Sequence, residues 1–215
     1  MKHKKNTRFL LLFVTTCYAC ALSAQYKNSP LIDSLLKNTK QDITNVISNP
    51  KKYKIQIIYT QINRDKNNVP AFTNHFYLYD STNYFYCASL VKLPCSVLAL
   101  EKINSLKEKG ITKETTMLTD STMACQKRIV TDTSAANGLP SVAHYIKKML
   151  LVSDNLAFGR IYEFLTPDYI HDRLKTYGMP NMRIVHRFDG GCKGLSNLTA
   201  NPVRFVDDSG NLIYK

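Results

Sequence analysis

A serine and a lysine three residues apart offer the clearest chemistry in this sequence. Ser89-Leu90-Val91-Lys92 opens an apolar segment that is predicted to be helical until Gly110. Positions i and i+3 share one face of a helix, so the Lys92 amine can reach the Ser89 hydroxyl and accept its proton. Backbone N–H groups at the start of such a helix can also stabilise an oxyanion. The spacing therefore predicts Ser89 as a nucleophile with Lys92 as its base.

The same spacing occurs a second time, so it is not decisive by itself. An amphipathic helix predicted over residues 30–48 carries Ser34 and Lys37 at this separation. In a chain rich in serine and lysine, about one S-x-x-K is expected by composition alone. We interpret Ser34 as a surface residue, because it lies mid-helix, whereas Ser89 opens a helix directly after a pair of strands.

A polar triplet adds a second candidate group. Ser153-Asp154-Asn155 follows Ser89 by 153 − 89 = 64 residues and separates two helical segments, the first of them capped by Ser141. Side chains at such an interruption can project into a cleft. Ser, Asp and Asn are also favoured helix caps, so a structural interpretation of the triplet stays open.

The elements that must position these residues are strands before Ser89 and helices after it. Alternating apolar residues from Tyr53 and again over residues 72–79 predict an antiparallel hairpin. The helix that begins at Ser89 is apolar most of the way round, so we expect it to be buried.

The rest of the chain is read as connections and further helices. Residues 111–138 are interpreted as connections, helices are predicted within 141–178, and a final hairpin joins 203–206 to 212–214. This order predicts an α+β fold in which a helical lobe follows the first two strands of a sheet.

The N-terminus predicts export. Four cationic residues precede an apolar run over residues 9–22 and then Ser23-Ala24, a pattern typical of a secretory signal. The run is too short for a stable membrane span, and residues 14–17 are a poor lipid-attachment site. We expect cleavage of residues 1–24 and a periplasmic or extracellular domain over 25–215, which has 215 − 24 = 191 residues.

Cysteine and histidine usage argues against a metal or other cofactor. Four cysteines remain after cleavage, and three pairings are open: Cys87, Cys95, Cys125 and Cys192. The histidines fall at no ligand spacing, and there is no H-E-x-x-H.

The basic charge does not predict nucleic-acid binding. The net charge of +13 becomes 13 − 4 = +9 without the signal, and the remaining cations form scattered pairs instead of one face. We expect a monomer whose partner is a small molecule, and the charge favours anionic substrates.

Together the two motifs resemble the β-lactamase and penicillin-binding protein superfamily, class A β-lactamases in particular. The signature of that superfamily is S-x-x-K, then S-D-N roughly sixty residues later, then K-[TS]-G on a late strand. Residues 87–94, running into 99–103, are also similar to the family's central helix, and the resemblance covers about residues 29–200. It implies a β-lactamase/transpeptidase-like fold, an antiparallel sheet with an inserted all-helical lobe.

The resemblance also implies roles for the residues. Ser89 would attack the carbonyl of a β-lactam or an acyl-D-Ala-D-Ala peptide, and Lys92 would take its proton. Ser153 would pass a proton to the departing nitrogen, and Asn155 would bond both the lysine and the substrate amide. Asp154 would point away and hold the turn.

The sequence departs from the family pattern in two places. Where hydrolytic β-lactamases carry a glutamate that activates water, the only carboxylate here is Asp189, which is one methylene shorter. No K-[TS]-G follows residue 155, since residues 175–178 are read as a helix end and Lys193-Gly194 lacks the hydroxyl residue. We therefore expect 25–215 to be a partial domain without that strand and the elements after it.

These departures leave several functions open. The protein is expected to be a β-lactam-hydrolysing serine hydrolase. The alternatives are a D-alanyl-D-alanine carboxypeptidase or other penicillin-binding peptidoglycan hydrolase, a sensor or pseudoenzyme that stays acylated, and an exported protein without serine chemistry.

Overall fold

The first compact unit ends at Phe85 and combines three short helices with a hairpin. The computed structural model describes residues 26–188, 192, 194 and 199–215. Its first elements are α1 (Pro30–Lys37), α2 (Gln41–Ile47), α3 (Pro50–Tyr53), β1 (Ile57–Arg64) and β2 (Pro70–Tyr77). The strands β1 and β2 pair antiparallel, from Ile57 opposite Tyr77 to Arg64 opposite Pro70, which confirms the predicted hairpin.

The prediction of one continuous helix over residues 30–48 is wrong. The helix breaks after Lys37, where the side chains of Asn38 and Thr39 bond to the backbone oxygens of Ser34 and Leu36. Such local side-chain bonds compete with the helical ladder, so a periodic apolar pattern can continue across a break. Tyr53, expected to begin a strand, instead ends α3.

The second unit, Tyr86–Lys215, contains the remaining helices and a second sheet. Its elements are α4 (Lys92–Ser105), β3 (Thr116–Thr119), α5 (Val142–Leu151), α6 (Asn155–Leu165), α7 (Pro167–Thr176), β4 (Val203–Val206) and β5 (Leu212–Tyr214). The three strands pair antiparallel in the order β3-β4-β5. The chain is an α+β protein, and the predicted hairpin of β4 and β5 is confirmed.

Strand β3 was missed in the segment interpreted as connections. Its four residues are all buried, so no alternation marks it, and its partner β4 lies far along the chain. Short buried strands without a periodic pattern cannot be recognised from local sequence. The final position of residues 116–119 is decided by pairing with a segment that follows all the helices.

Helix α4 is buried on one face only, which corrects the expectation of complete burial. Cys95, Leu98 and Ala99 are at most 2% exposed, whereas Leu93 and Val97 are 61% and 53% exposed. The buried face packs with α6, in which Phe158, Ile161 and Leu165 are fully enclosed. This pairing of α4 with α6 forms the core of the second unit and holds the start of each helix in place.

Candidate active site

Ser89 and Lys92 lie on either side of a change in helix geometry. Ser89 is exposed in a single 3₁₀ turn, Ala88–Val91, whereas Lys92 is the first residue of α4 and only 2% exposed. The Lys92 Nζ atom is 3.2 Å from Ser89 Oγ. The structure therefore places the amine within hydrogen-bond distance of an accessible hydroxyl, as the spacing predicted.

The polar triplet comes to the same place from the other side. Lys92 Nζ donates to Ser153 Oγ at 2.9 Å, to Asn155 Oδ1 at 2.7 Å, and to the Ser153 carbonyl oxygen. Ser153 Oγ in turn donates to Ser89 Oγ at 2.9 Å. The structure thus brings together all four residues singled out by the two motifs, although 61 residues separate Lys92 from Ser153.

The triplet lies between two capped helices. The Ser141 hydroxyl accepts the His144 N–H at the start of α5, as predicted, and the Asp154 carboxylate accepts the Ala157 N–H at the start of α6. Between these helices Ser153 has a φ of 57°, a left-handed conformation that costs a non-glycine residue free energy. This turn directs both the hydroxyl and the carbonyl of Ser153 at Lys92, while Asp154 faces the helix.

Burial decides the electrostatics of Lys92. Desolvation lowers the pKa of its ammonium group below the ordinary value, and the nearby negative charge of Asp154 acts in the opposite direction. Because desolvation outweighs the effect of Asp154, a larger share of Lys92 is neutral than in an exposed lysine, and a neutral amine can accept the serine proton.

Asp154 is connected to a further set of charges. Its carboxylate lies 3.6 Å from Lys148 Nζ, and Lys148 also bonds Asp132 at 3.0 Å. Asp132 accepts hydrogen bonds from Ser134 and lies 3.1 Å from His144 Nε2. Burial alone would raise the pKa of Asp132, but the bonds from Ser134 and Lys148 outweigh it and lower the pKa. Asp154 is thus held by Lys148 as well as by the hydrogen bond that it accepts from the Ala157 N–H.

An open cleft of about 410 Å³ lies in front of the serine. It is lined by Cys87, Ala88, Ser89, Leu90, Lys92, Leu93, Met149, Leu150 and Ser153. This volume is within the range of small-molecule sites. Most of the lining is apolar, and its polar residues Ser89, Lys92 and Ser153 lie together because they are hydrogen-bonded to one another.

Other predictions about the site have mixed outcomes. Asp189 lies outside the described residues. Its neighbour Phe188, which the sequence analysis did not single out, places its ring 5.5 Å from Lys92 Nζ. Four cysteines allowed two disulfides in three alternative pairings; the structure forms one disulfide, Cys125–Cys192, and leaves Cys87 and Cys95 as thiols.

Across residues 26–188 and the described positions after them, no three metal-ligating side chains come together. None of the helices described is both long and apolar enough to cross a membrane.

Comparison with known families identifies the type of protein. The chain belongs to the β-lactamase enzyme family, whose sequence model matches residues 38–209. The match covers 209 − 38 + 1 = 172 of the 215 residues and includes both motifs. No curated protein and no solved structure matches the chain. The family defines the type of protein as a serine hydrolase of the β-lactamase kind.

Proposed function

We propose that this protein is a class A-like serine β-lactamase that is acylated by β-lactams at Ser89. One observation carries the proposal: a buried lysine amine contacts Ser89, Ser153 and Asn155 at once, beside an open cleft. Such a constellation matches a nucleophile with its base and a second proton carrier. The isolated lysine-serine pair would not support the proposal, since Ser34 and Lys37 share it.

Acylation uses these contacts in sequence. Ser89 Oγ attacks the lactam carbonyl carbon as its proton moves to the neutral Lys92 amine. The carbon–nitrogen bond of the ring then breaks, and the ring nitrogen takes a proton from Ser153 Oγ. Lys92 replaces that proton, because its Nζ lies 2.9 Å from Ser153 Oγ. Asn155 holds Lys92 through Oδ1, which leaves its NH₂ group available to a substrate amide oxygen.

Hydrolysis of the acyl-enzyme needs an activated water. Among the described residues no carboxylate hydrogen-bonds Ser89, and Asp154 is engaged with the Ala157 N–H. Asp189 is our candidate for the base that activates water. A shorter carboxylate would have to approach the ester more closely than a glutamate does, so we expect deacylation to be slower than acylation.

The test is covalent labelling with a matched control. The mature chain is incubated with benzylpenicillin, and intact-mass spectrometry follows the adduct while nitrocefin reports turnover. We expect an adduct of one penicillin per chain, lost in Ser89→Ala and kept in Ser34→Ala. No adduct with any penicillin or cephalosporin would refute the proposal.

The same assay separates the alternatives. A stable adduct without nitrocefin turnover would identify an acylated sensor. Release of D-alanine from an acyl-D-Ala-D-Ala peptide faster than nitrocefin hydrolysis would identify a carboxypeptidase. Both outcomes would keep Ser89 as the nucleophile: the first would remove hydrolysis from the proposal, and the second would change the substrate.

We also propose that the protein is exported as a mature chain that starts after residue 24. The Cys125–Cys192 disulfide supports this, because disulfides persist in oxidising compartments. Expression of the full gene in a Gram-negative host should give a periplasmic protein whose N-terminal sequence begins near Gln25. A cytoplasmic, full-length product would contradict it.

A further inference from the structure

A second cavity of about 550 Å³ lies between α5, α6 and the segment 127–133. It shares no lining residue with the cleft in front of Ser89. Both charged and apolar side chains line it. The volume is sufficient for a small organic molecule.

Two nearly buried polar side chains in this wall have hydrogen-bonding capacity that the protein does not use. Arg160 is 5% exposed, and its Nη1 atom lies 3.0 Å from a Glu163 oxygen and 3.4 Å from the Lys127 carbonyl oxygen. Within the part of the chain described, Nε and Nη2 of Arg160 have no partner. The hydroxyl of Tyr145, which is 3% exposed, has none there either.

An unused donor at a buried position is costly, so the Tyr145 hydroxyl points to a missing acceptor, to which the unpaired nitrogens of Arg160 can also donate. A guanidinium can only donate hydrogen bonds. Burial raises the pKa of Tyr145, so its hydroxyl stays protonated and can donate as well. The partner that would satisfy both groups carries oxygen acceptors.

The charge of the wall favours a negative partner. Three cations line the cavity, and Lys148 is paired with Asp132 and Arg160 with Glu163, so the uncompensated positive charge is that of Lys127. Asp132 is already bonded by Ser134 and Lys148, and Lys148 also faces Asp154. The exposed Lys127 side chain has no partner in the described residues, so it can reorient toward a bound ligand.

The remainder of the wall is apolar. Ile129, Leu156, Ala157 and the ring of Tyr145 offer hydrocarbon surface beside the donors of Arg160. We propose that this cavity binds a small organic anion, with a carboxylate at Arg160, Tyr145 and Lys127 and an apolar body against Ile129 and Leu156. This site is separate from Ser89, and the proposal does not depend on acylation.

The probe is 4-phenylbutyrate, titrated into the mature protein and followed by calorimetry and by amide chemical shifts. We expect shifts at Ala157 and Lys148 that exceed any at Ser89 and Leu90. The uncharged 4-phenylbutanol should bind at least roughly tenfold more weakly, as expected for loss of a charge-assisted hydrogen bond.

Variants distinguish binding in this cavity from non-specific electrostatic attraction to the protein surface. Lys127→Gln and Tyr145→Phe should each weaken binding about threefold to tenfold, by loss of one donor. Lys107→Gln, at an equally exposed lysine outside the cavity, should leave binding unchanged. Lys127 is on the surface, so its variant is expected to fold even if Tyr145→Phe does not.

Three results would overturn the proposal. One is the absence of saturable binding at millimolar 4-phenylbutyrate. Another is equal affinity for the alcohol and the carboxylate. The third is a loss of affinity in Lys107→Gln as large as in Lys127→Gln, which would show attraction by overall positive charge.

Discussion

Replacement of Lys92 by methionine is the sharpest test of the proposed chemistry. The methionine side chain is nearly as long as lysine, but it can neither accept nor donate a proton. Ser89 and Ser153 therefore lose their shared hydrogen-bond partner. A positioned general base contributes about 10²–10⁴-fold to rate, which corresponds to roughly 3 to 5 kcal/mol of activation free energy. We expect the acylation rate constant to fall within that range.

The chain provides a matched control for this variant. Lys37 follows Ser34 by three residues, as Lys92 follows Ser89, but both residues of that pair are exposed on α1. Lys37→Met should therefore leave acylation unchanged. The rate constant is measured with a fluorescent penicillin by stopped-flow mixing at several pH values.

The fold should tolerate Lys92→Met, so a loss of rate is interpretable. Lys92 is 2% exposed and its pKa is lowered, which means that burial of its charge costs free energy. We expect a melting temperature equal to or above that of the wild type. Acylation within threefold of the wild-type rate would refute the assignment of Lys92 as the base, and so would an equal loss in Lys37→Met.

Three further variants test the surroundings of the site. Asp154→Asn keeps a capping residue but removes the charge that raises the pKa of Lys92; the pKa falls further, and the rise of acylation with pH should move to lower pH. A shift to higher pH would contradict the electrostatic argument. Glu163→Gln removes the buried carboxylate that Arg160 and Arg187 share, and urea unfolding should show a loss of about 3–5 kcal/mol. A loss below about 1 kcal/mol would show that this ion cluster adds little stability. The double variant Cys125→Ser, Cys192→Ser opens a link across 67 residues, and the chain-entropy relation gives a loss of about 4 kcal/mol in the same assay. If reduction of the disulfide in the wild-type protein leaves its urea unfolding unchanged, that result would argue against this stabilisation.

Local pattern was sufficient for much of the fold. The β1–β2 hairpin, the cap at Ser141 and the helices within residues 141–178 were all predicted, because alternation, capping side chains and helical periodicity act over a few residues. The break after Lys37 was missed, since the apolar periodicity continues through it. The pairing of β3 was missed because its partner is remote.

The candidate site shows the same division. Its four residues were proposed from two motifs, and the structure brings Ser89, Lys92, Ser153 and Asn155 into contact. What no local pattern contains is the burial of Lys92, which lowers its pKa and which depends on the packing of α4 against α6. The same holds for Arg160 and its cavity, which no motif marked.

The sequence by itself determined where a serine and a lysine lie one helical turn apart, because the helix sets the distance between positions i and i+3. By this criterion Ser34 with Lys37 and Ser89 with Lys92 are equivalent. Only the tertiary structure distinguished the two pairs. It buried one lysine among oxygen atoms that lie 61 and 63 residues away and left the other in solvent. Desolvation is a property of the packed environment, so the pKa that this chemistry requires arises only when distant segments meet.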